Sequence, residues 1–180
     1  GICTLSGDSL FKLARATGEA RYLDFLRAIA HNCTQYISRP DRRIGEPPMP
    51  AGFVNERVNT SDWNEPVGEI FFGSTWAETA VALTAVELPG LYLRPDLNRC
   101  WCLDHVRLES WSKLDRAVEL TLFNPTRFDL CLRVMIEEGN QAAVPLGSAG
   151  LALLPVVALS AGERRRVTMD PFTSGSGLKQ

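Results

Sequence analysis

The sequence predicts an α+β chain: a helical hairpin plus one further helix, followed by an antiparallel β-sandwich. Three observations predict it. Apolar residues recur at three- and four-residue steps from Tyr22 to Ile37 and again from Trp76 to Val86, which is helical spacing. From Leu91 onward the apolar period becomes two, which is strand spacing. Pro89-Gly90, a strong structure breaker, falls at the change. The implied organisation is a helical segment over 1–90 with a long polar loop at 39–73, a sandwich over 91–171, and a disordered tail at 172–180 that carries Thr173-Ser174-Gly175-Ser176-Gly177.

Asp8 or Ser9 suits the N-cap of a first helix through Ala16, and Thr17-Gly18 ends it because glycine accepts the left-handed backbone of a helix stop. A second helix follows from Glu19 to about Ser38. Its residues Tyr22, Phe25, Leu26, Ile29, Cys33, Tyr36 and Ile37 form one apolar stripe, and Arg39-Pro40 stops it. So short a turn makes the two helices an antiparallel hairpin. A third helix starts at Ser74 and runs through Trp76, Ala80, Leu83 and Val86. Six strands are expected in the second half, at 91–93, 100–103, 118–122, 130–136, 151–159 and 164–169, with Pro95-Asp96-Leu97-Asn98, Asn124-Pro125-Thr126 and Ser160-Ala161-Gly162-Glu163 as turns. The Arg164-Arg165-Arg166 run marks the last strand as an edge, where charge blocks further pairing. The helices bury too little surface to stand alone. They must lean on the sheet or on helices this chain lacks, and the second option is the sharper inference.

With 180 residues, 45% of them hydrophobic, the chain can bury a sizeable core without disulfides or metal. Lysine plus arginine total 19 against 21 aspartate plus glutamate, a net charge of −2, which argues against nucleic acid as a partner. No run approaches the ~18 apolar residues of a membrane span, so no membrane partner is expected. Gly1-Ile2-Cys3-Thr4 shows neither a signal peptide nor an initiator methionine, so the chain is expected to be a piece of something longer. The compartment stays open, leaning towards a reducing one. Cys3, Cys33, Cys100, Cys102 and Cys131 offer no zinc spacing and read as small apolar core residues. Cys100 and Cys102 share one strand face, where they do not bond each other comfortably. No metal and no cofactor is expected.

The segment from Arg39 to Gly73 lacks sustained periodicity and exceeds the ~12–15 residues usual for a connection. Phe53, Trp63, Phe71 and Phe72 make it unlike a solvated linker. It gathers Glu46, Glu56, Asp62, Glu65 and Glu69, with Glu78 soon after, together with Arg57, Asn55, Asn59 and Asn64. This composition suits a sugar, whose apolar ring face stacks on an aromatic and whose hydroxyls pair with carboxylates and amides. Glycosidic cleavage needs two carboxyl groups. The candidate catalytic residues are therefore Glu56, Asp62, Glu65 and Glu69, and the candidate substrate-binding residues Trp63, Arg57, Asn59 and Glu78. His31 reads as a core-edge residue, Asp104-His105 as polarity at a strand end, and Trp101 and Trp111 as core or interface residues. A nucleophile elbow, a Walker loop and a dinucleotide fingerprint are absent.

The run Leu13-Ala14-Arg15-Ala16-Thr17-Gly18-Glu19-Ala20-Arg21-Tyr22-Leu23 resembles the helix–turn–helix repeat of the six-hairpin glycosidase superfamily. Met49-Pro50-Ala51-Gly52-Phe53, then Asn59-Thr60-Ser61-Asp62-Trp63 and Phe72-Gly73-Ser74-Thr75-Trp76-Ala77-Glu78, resemble late active-site-side segments of large bacterial proteins of that type. The resemblance implies the end of an α/α toroid with a following β-sandwich. It also implies a carbohydrate-active enzyme, a glycoside hydrolase, with a carbohydrate and the missing remainder of the toroid, or a second copy, as partners. It carries over no catalytic residue. An isolated chain is expected to be inactive, since three helices do not enclose a substrate. The alternatives are a non-catalytic glycan- or protein-binding sandwich and a polysaccharide lyase fragment.

Overall fold

The computed structural model describes residues 7–33, 37–44, 48–53, 57–58, 70–71, 87–139 and 152–171. Helix α1 (Gly7–Thr17) stops where expected. Gly18 takes φ +74° and its N–H donates to the Ala14 carbonyl at 2.8 Å, while the Thr17 hydroxyl donates to Leu13 and accepts from the Glu19 N–H. Helix α2 (Ala20–Cys33) follows directly.

Two expectations for α2 need correction. Its buried positions are Leu23, Leu26 and Ile29, whereas Phe25 is 57% exposed. The helix is described as far as Cys33, and it does not include Ser38, whose backbone N–H donates to Phe53 and whose carbonyl accepts from Gly52. The Ser38 hydroxyl donates to the Met49 carbonyl and accepts from the Ile44 N–H. These side-chain and long-range bonds satisfy a backbone that a continued helix would otherwise pair internally. The expected third helix lies outside the described residues, apart from a helical Glu87.

Within the 39–73 segment, which lacks sustained periodicity, β1 (Arg57–Val58) and β2 (Ile70–Phe71) form a short antiparallel ladder. Seven further strands make two sheets: β3 (Leu91–Arg94), β4 (Arg99–Cys102), β5 (Arg107–Lys113), β6 (Val118–Phe123), β7 (Leu130–Ile136), β8 (Val156–Leu159) and β9 (Arg164–Met169). Their orders are β4-β3-β7-β8 and β5-β6-β9. The β3–β4 hairpin closes through a 3₁₀ turn at Pro95–Leu97 and Asn98, which takes the left-handed conformation. The charged β9 is an edge strand, as its arginine run implied.

Three features depart from the antiparallel six-strand expectation. Strand β3 runs parallel to β7, with Leu91 opposite Val134. Only Val156–Leu159 of the expected 151–159 strand is extended, because 152–154 turn. Strand β5 was not expected at all. A register shift between Leu108 and Ser110 sets its inward residues Leu108 and Trp111 three apart, which hides the period of two.

The alternation in β6 places Val118, Leu120 and Leu122 inward at 0% exposure, where they meet Leu91, Leu93, Leu132, Val134 and Ile136 between the sheets. Strand β7 is buried on both faces, so Met135 points the other way, into a second core with Tyr92, Trp101, Leu103 and Leu154. Phe11, Ala14, Leu23 and Leu26 of the helices close that core. The described helices therefore lean on the four-stranded sheet, and the molecule is a mixed α+β fold of helix, sheet and sheet layers. Of the two supports expected for the helices, the sheet is the one that the described residues show.

Gly90 sits where the layers converge. Its N–H donates to Arg133, and its carbonyl accepts from Leu103 and Asp104. A Cβ there would lie 2.6 Å from a terminal methyl of Leu132 and 3.2 Å from the Asp104 Cβ, so any larger residue requires the buried Leu132 side chain to move.

Candidate functional site

Of the eight candidate residues, Glu56, Asn59, Asp62, Trp63, Glu65, Glu69 and Glu78 lie outside the described residues, and only the backbone of Arg57 is described. What is described is how their segment is held. Arg57 pairs with Phe71 and Val58 with Ile70, so the chain that leaves at Val58 returns at Ile70 beside its own start. The stretch between carries Asn59, Asp62, Trp63, Glu65 and Glu69.

The approach to this ladder is fixed too. Ser38, 1% exposed, ties 37–38 to 44, 49 and 52–53. Arg127 then reaches from the β6–β7 turn to Asp41 at 2.6 Å, joining the segment to the sandwich. That turn is rigid for a visible reason. The fully buried Asn124 amide donates to the carbonyls of Phe128, Leu159 and Ser160, and its oxygen accepts from both Thr126 donors. Desolvation alone would raise the Asp41 carboxyl. The hydrogen bond from Arg127, a local backbone N–H and the charges of Arg127 and Arg39 outweigh it and hold the group below the ordinary carboxylate range.

Two clusters outside the expected site bind the layers together. The first was not foreseen. Arg15 on α1 donates to both oxygens of Glu137, from Nε at 2.9 Å and from Nη2 at 2.5 Å, and the Tyr92 hydroxyl donates to Glu137 Oε2 at 2.8 Å. Burial and the Glu137 charge push the Tyr92 phenol far up, so it remains a donor. Nearby, the Trp101 indole N–H donates to Asp24 at 2.8 Å, which makes the expected core tryptophan a joint between sheet and helix as well. The signal for the Arg15 joint was present in the sequence. Arg15 stands four residues after Phe11 on the buried face of α1.

The second cluster lies where α2 meets the end of β4. His31 Nε2 is 3.1 Å from the Cys102 carbonyl, and the His31 and His105 ring centroids are 5.0 Å apart. Asp104, just past the end of β4, accepts from the His105 backbone N–H. Burial, followed by the charges of His105 and Arg27, lowers the His31 pKa, opposed by carbonyl bonds to Cys102 and Asp104. A neutral His31 is thus the folded form. The unfolded chain binds more protons as pH falls through about 6.5, so this contribution to stability is present above that value and is lost on acidification. His31→Gln is expected to flatten the decline of thermal midpoint between pH 7.5 and pH 5, and scanning calorimetry of both chains checks it.

Cys100 and Cys102 are half-buried free thiols on the inward face of β4, as their spacing implied, whereas Cys131 is exposed rather than core. Among the described residues no group of three or more His, Cys, Asp or Glu side chains is placed to hold a metal ion. Among them, too, no helix is long and apolar enough to cross a membrane. No protein-family model, no curated protein and no solved structure matches this chain.

Proposed function

We propose that this chain is the carboxy-terminal portion of a carbohydrate-active enzyme, a glycoside hydrolase of the six-hairpin class, with α1 and α2 as part of an α/α toroid braced by the sandwich. The observation that carries the reading is the ladder Arg57–Val58/Ile70–Phe71. It returns the acid- and tryptophan-bearing stretch to its own starting point, on a segment pinned through Asp41 and Ser38. Two carboxyl groups must be held at a set separation for glycosidic cleavage, and joining the ends of 59–69 at Val58 and Ile70 limits how far apart its residues can lie. Glu56, Asp62, Glu65 and Glu69 would supply acid, base or hydroxyl-binding groups, Trp63 a stacking surface, and Arg57, Asn59 and Glu78 further polar contacts. Support for the toroid comes from the hairpin's outward side, where Leu13 is 40% and Phe25 57% exposed. Those side chains would pack against a neighbouring hairpin.

Deleting residues 1–90 does not separate this reading from a binding sandwich, because it would uncover Tyr92, Trp101 and Met135 and disrupt the fold. Point substitution does. Saturation-transfer NMR of the intact chain with neutral cello-, xylo-, manno- and malto-oligosaccharides is expected to show binding to at least one of them, without turnover. Trp63→Ala should weaken it about tenfold, in the range of a lost stacking contact. Binding to none of the four, or binding unaffected by Trp63→Ala, contradicts the reading.

A further inference from the structure

We propose that the outward face of the three-stranded sheet β5-β6-β9 is a separate binding surface for an acidic polysaccharide, with Arg107 as the residue that takes its uronate carboxylates. The proposal stands on the sandwich alone and does not depend on the reading of the 39–73 segment.

The register builds this face in rows. Arg107, Phe123 and Arg164 stand opposite one another across the three strands, and Ser110, Thr121 and Arg166 form the next outward row. Ser112, Glu119 and Thr168 form the third. Because Leu120 and Leu122 are fully buried on the other side of β6, these rows face away from the core. Adjacent strands stand about 4.8 Å apart and successive rows about 7 Å, so the surface is a twisted platform on the order of 10 by 14 Å.

The charges on it are unequally employed. Arg164 is held by Glu109 in a two-point contact at 2.5 and 2.8 Å, and Arg166 lies 3.8 Å from Glu119. Arg107 meets no carboxylate within ion-pair distance among the described residues. Its guanidinium is instead placed 5.8 Å from the centre of the Phe123 ring, with that of Arg164 at 5.4 Å from the same ring. The hydrogen bond from Arg164, then its charge and that of Arg107, hold the Glu109 carboxyl below its ordinary range against desolvation, which marks the local field as positive. Three arginines against two glutamates leave this face cationic on a chain of net charge −2.

Such a surface matches an acidic sugar chain by charge and shape. A free guanidinium fork pairs with a planar carboxylate at two points. The hydroxyls of Ser110, Thr121, Ser112 and Thr168 suit ring hydroxyls. An acidic peptide would find no pocket for its side chains on a platform whose apolar component is the single Phe123.

The test is calorimetric titration of the intact chain with oligogalacturonate, with the same oligomer after its carboxyls are reduced to alcohols, and with polyglutamate of equal charge. Oligogalacturonate should bind, shift the amide signals of β5, β6 and β9 in NMR spectra, and weaken at high salt. The reduced oligomer and polyglutamate should each bind at least about tenfold more weakly, the smaller loss expected when a hydrogen bond to a charged group is removed. Arg107→Gln, at an exposed position, should lower affinity by about 10–100-fold with an unchanged thermal midpoint, and Trp63→Ala should leave it unaltered. Absence of binding, equal binding of the reduced oligomer or of polyglutamate, or full affinity in Arg107→Gln overturns the proposal. Loss of oligogalacturonate binding in Trp63→Ala overturns its independence from the 39–73 segment.

Discussion

Glu137→Ala is expected to destabilise the protein by about 3–5 kcal/mol, the usual cost of removing one member of a buried ion pair. The Arg15 and Glu137 side chains are 3% and 1% exposed, so the guanidinium left behind would lose its carboxylate with little access to water. The Tyr92 hydroxyl would lose its acceptor at the same time. The pair is not expected to add that much net stability, because taking two charges out of water offsets most of their attraction. Urea denaturation of the parent and Glu137→Ala chains checks it. A single variant as stable as the parent would mean that the joint is not closed to solvent.

Phe11→Ala is expected to cost about 3–5 kcal/mol, the range for a large aromatic removed from a filled core. Phe11 is 0% exposed and meets the Tyr92 ring edge-on at a centroid distance of 5.1 Å, and Tyr92 in turn stacks on Trp101 at 5.9 Å. The substitution empties a space shared by α1, β3 and β4. Its effect should therefore be felt in the sheet as much as in the helix.

Much of this architecture is legible in the sequence where one face of an element is buried and the other wet. Strand β6 is the clear case: Val118, Leu120 and Leu122 alternate with half-exposed partners, and the strand runs as its pattern implies. Legibility fails where the local period and the tertiary contacts disagree. The bulge between Leu108 and Ser110 concealed β5. Phe25 fits the apolar stripe of α2 by spacing but faces outward, since the sheet accommodates Leu23 and Leu26 instead. The parallel pairing of β3 with β7 depends on residues some forty positions apart, and no local pattern encodes it. Partners such as Arg15 and Glu137 stand 122 residues apart, so sequence can show that a charge falls on a buried face but not what answers it. At the candidate site, the residue types were readable and the holding contacts were not. Ser38 looked like a helix end, and nothing near Asp41 pointed to Arg127.

Everything proposed for the 39–73 segment rests on a frame in which the hairpin before it and the strands after it share one core. Native-state hydrogen exchange on the parent and Phe11→Ala chains tests that frame directly. If helix and sheet form one cooperative unit, the most protected amides of α1, α2, β3 and β7 should all lose the same protection in Phe11→Ala, by an amount equal to its loss in global stability. Faster exchange confined to α1 and α2, with β3 and β7 as slow as in the parent, would contradict it.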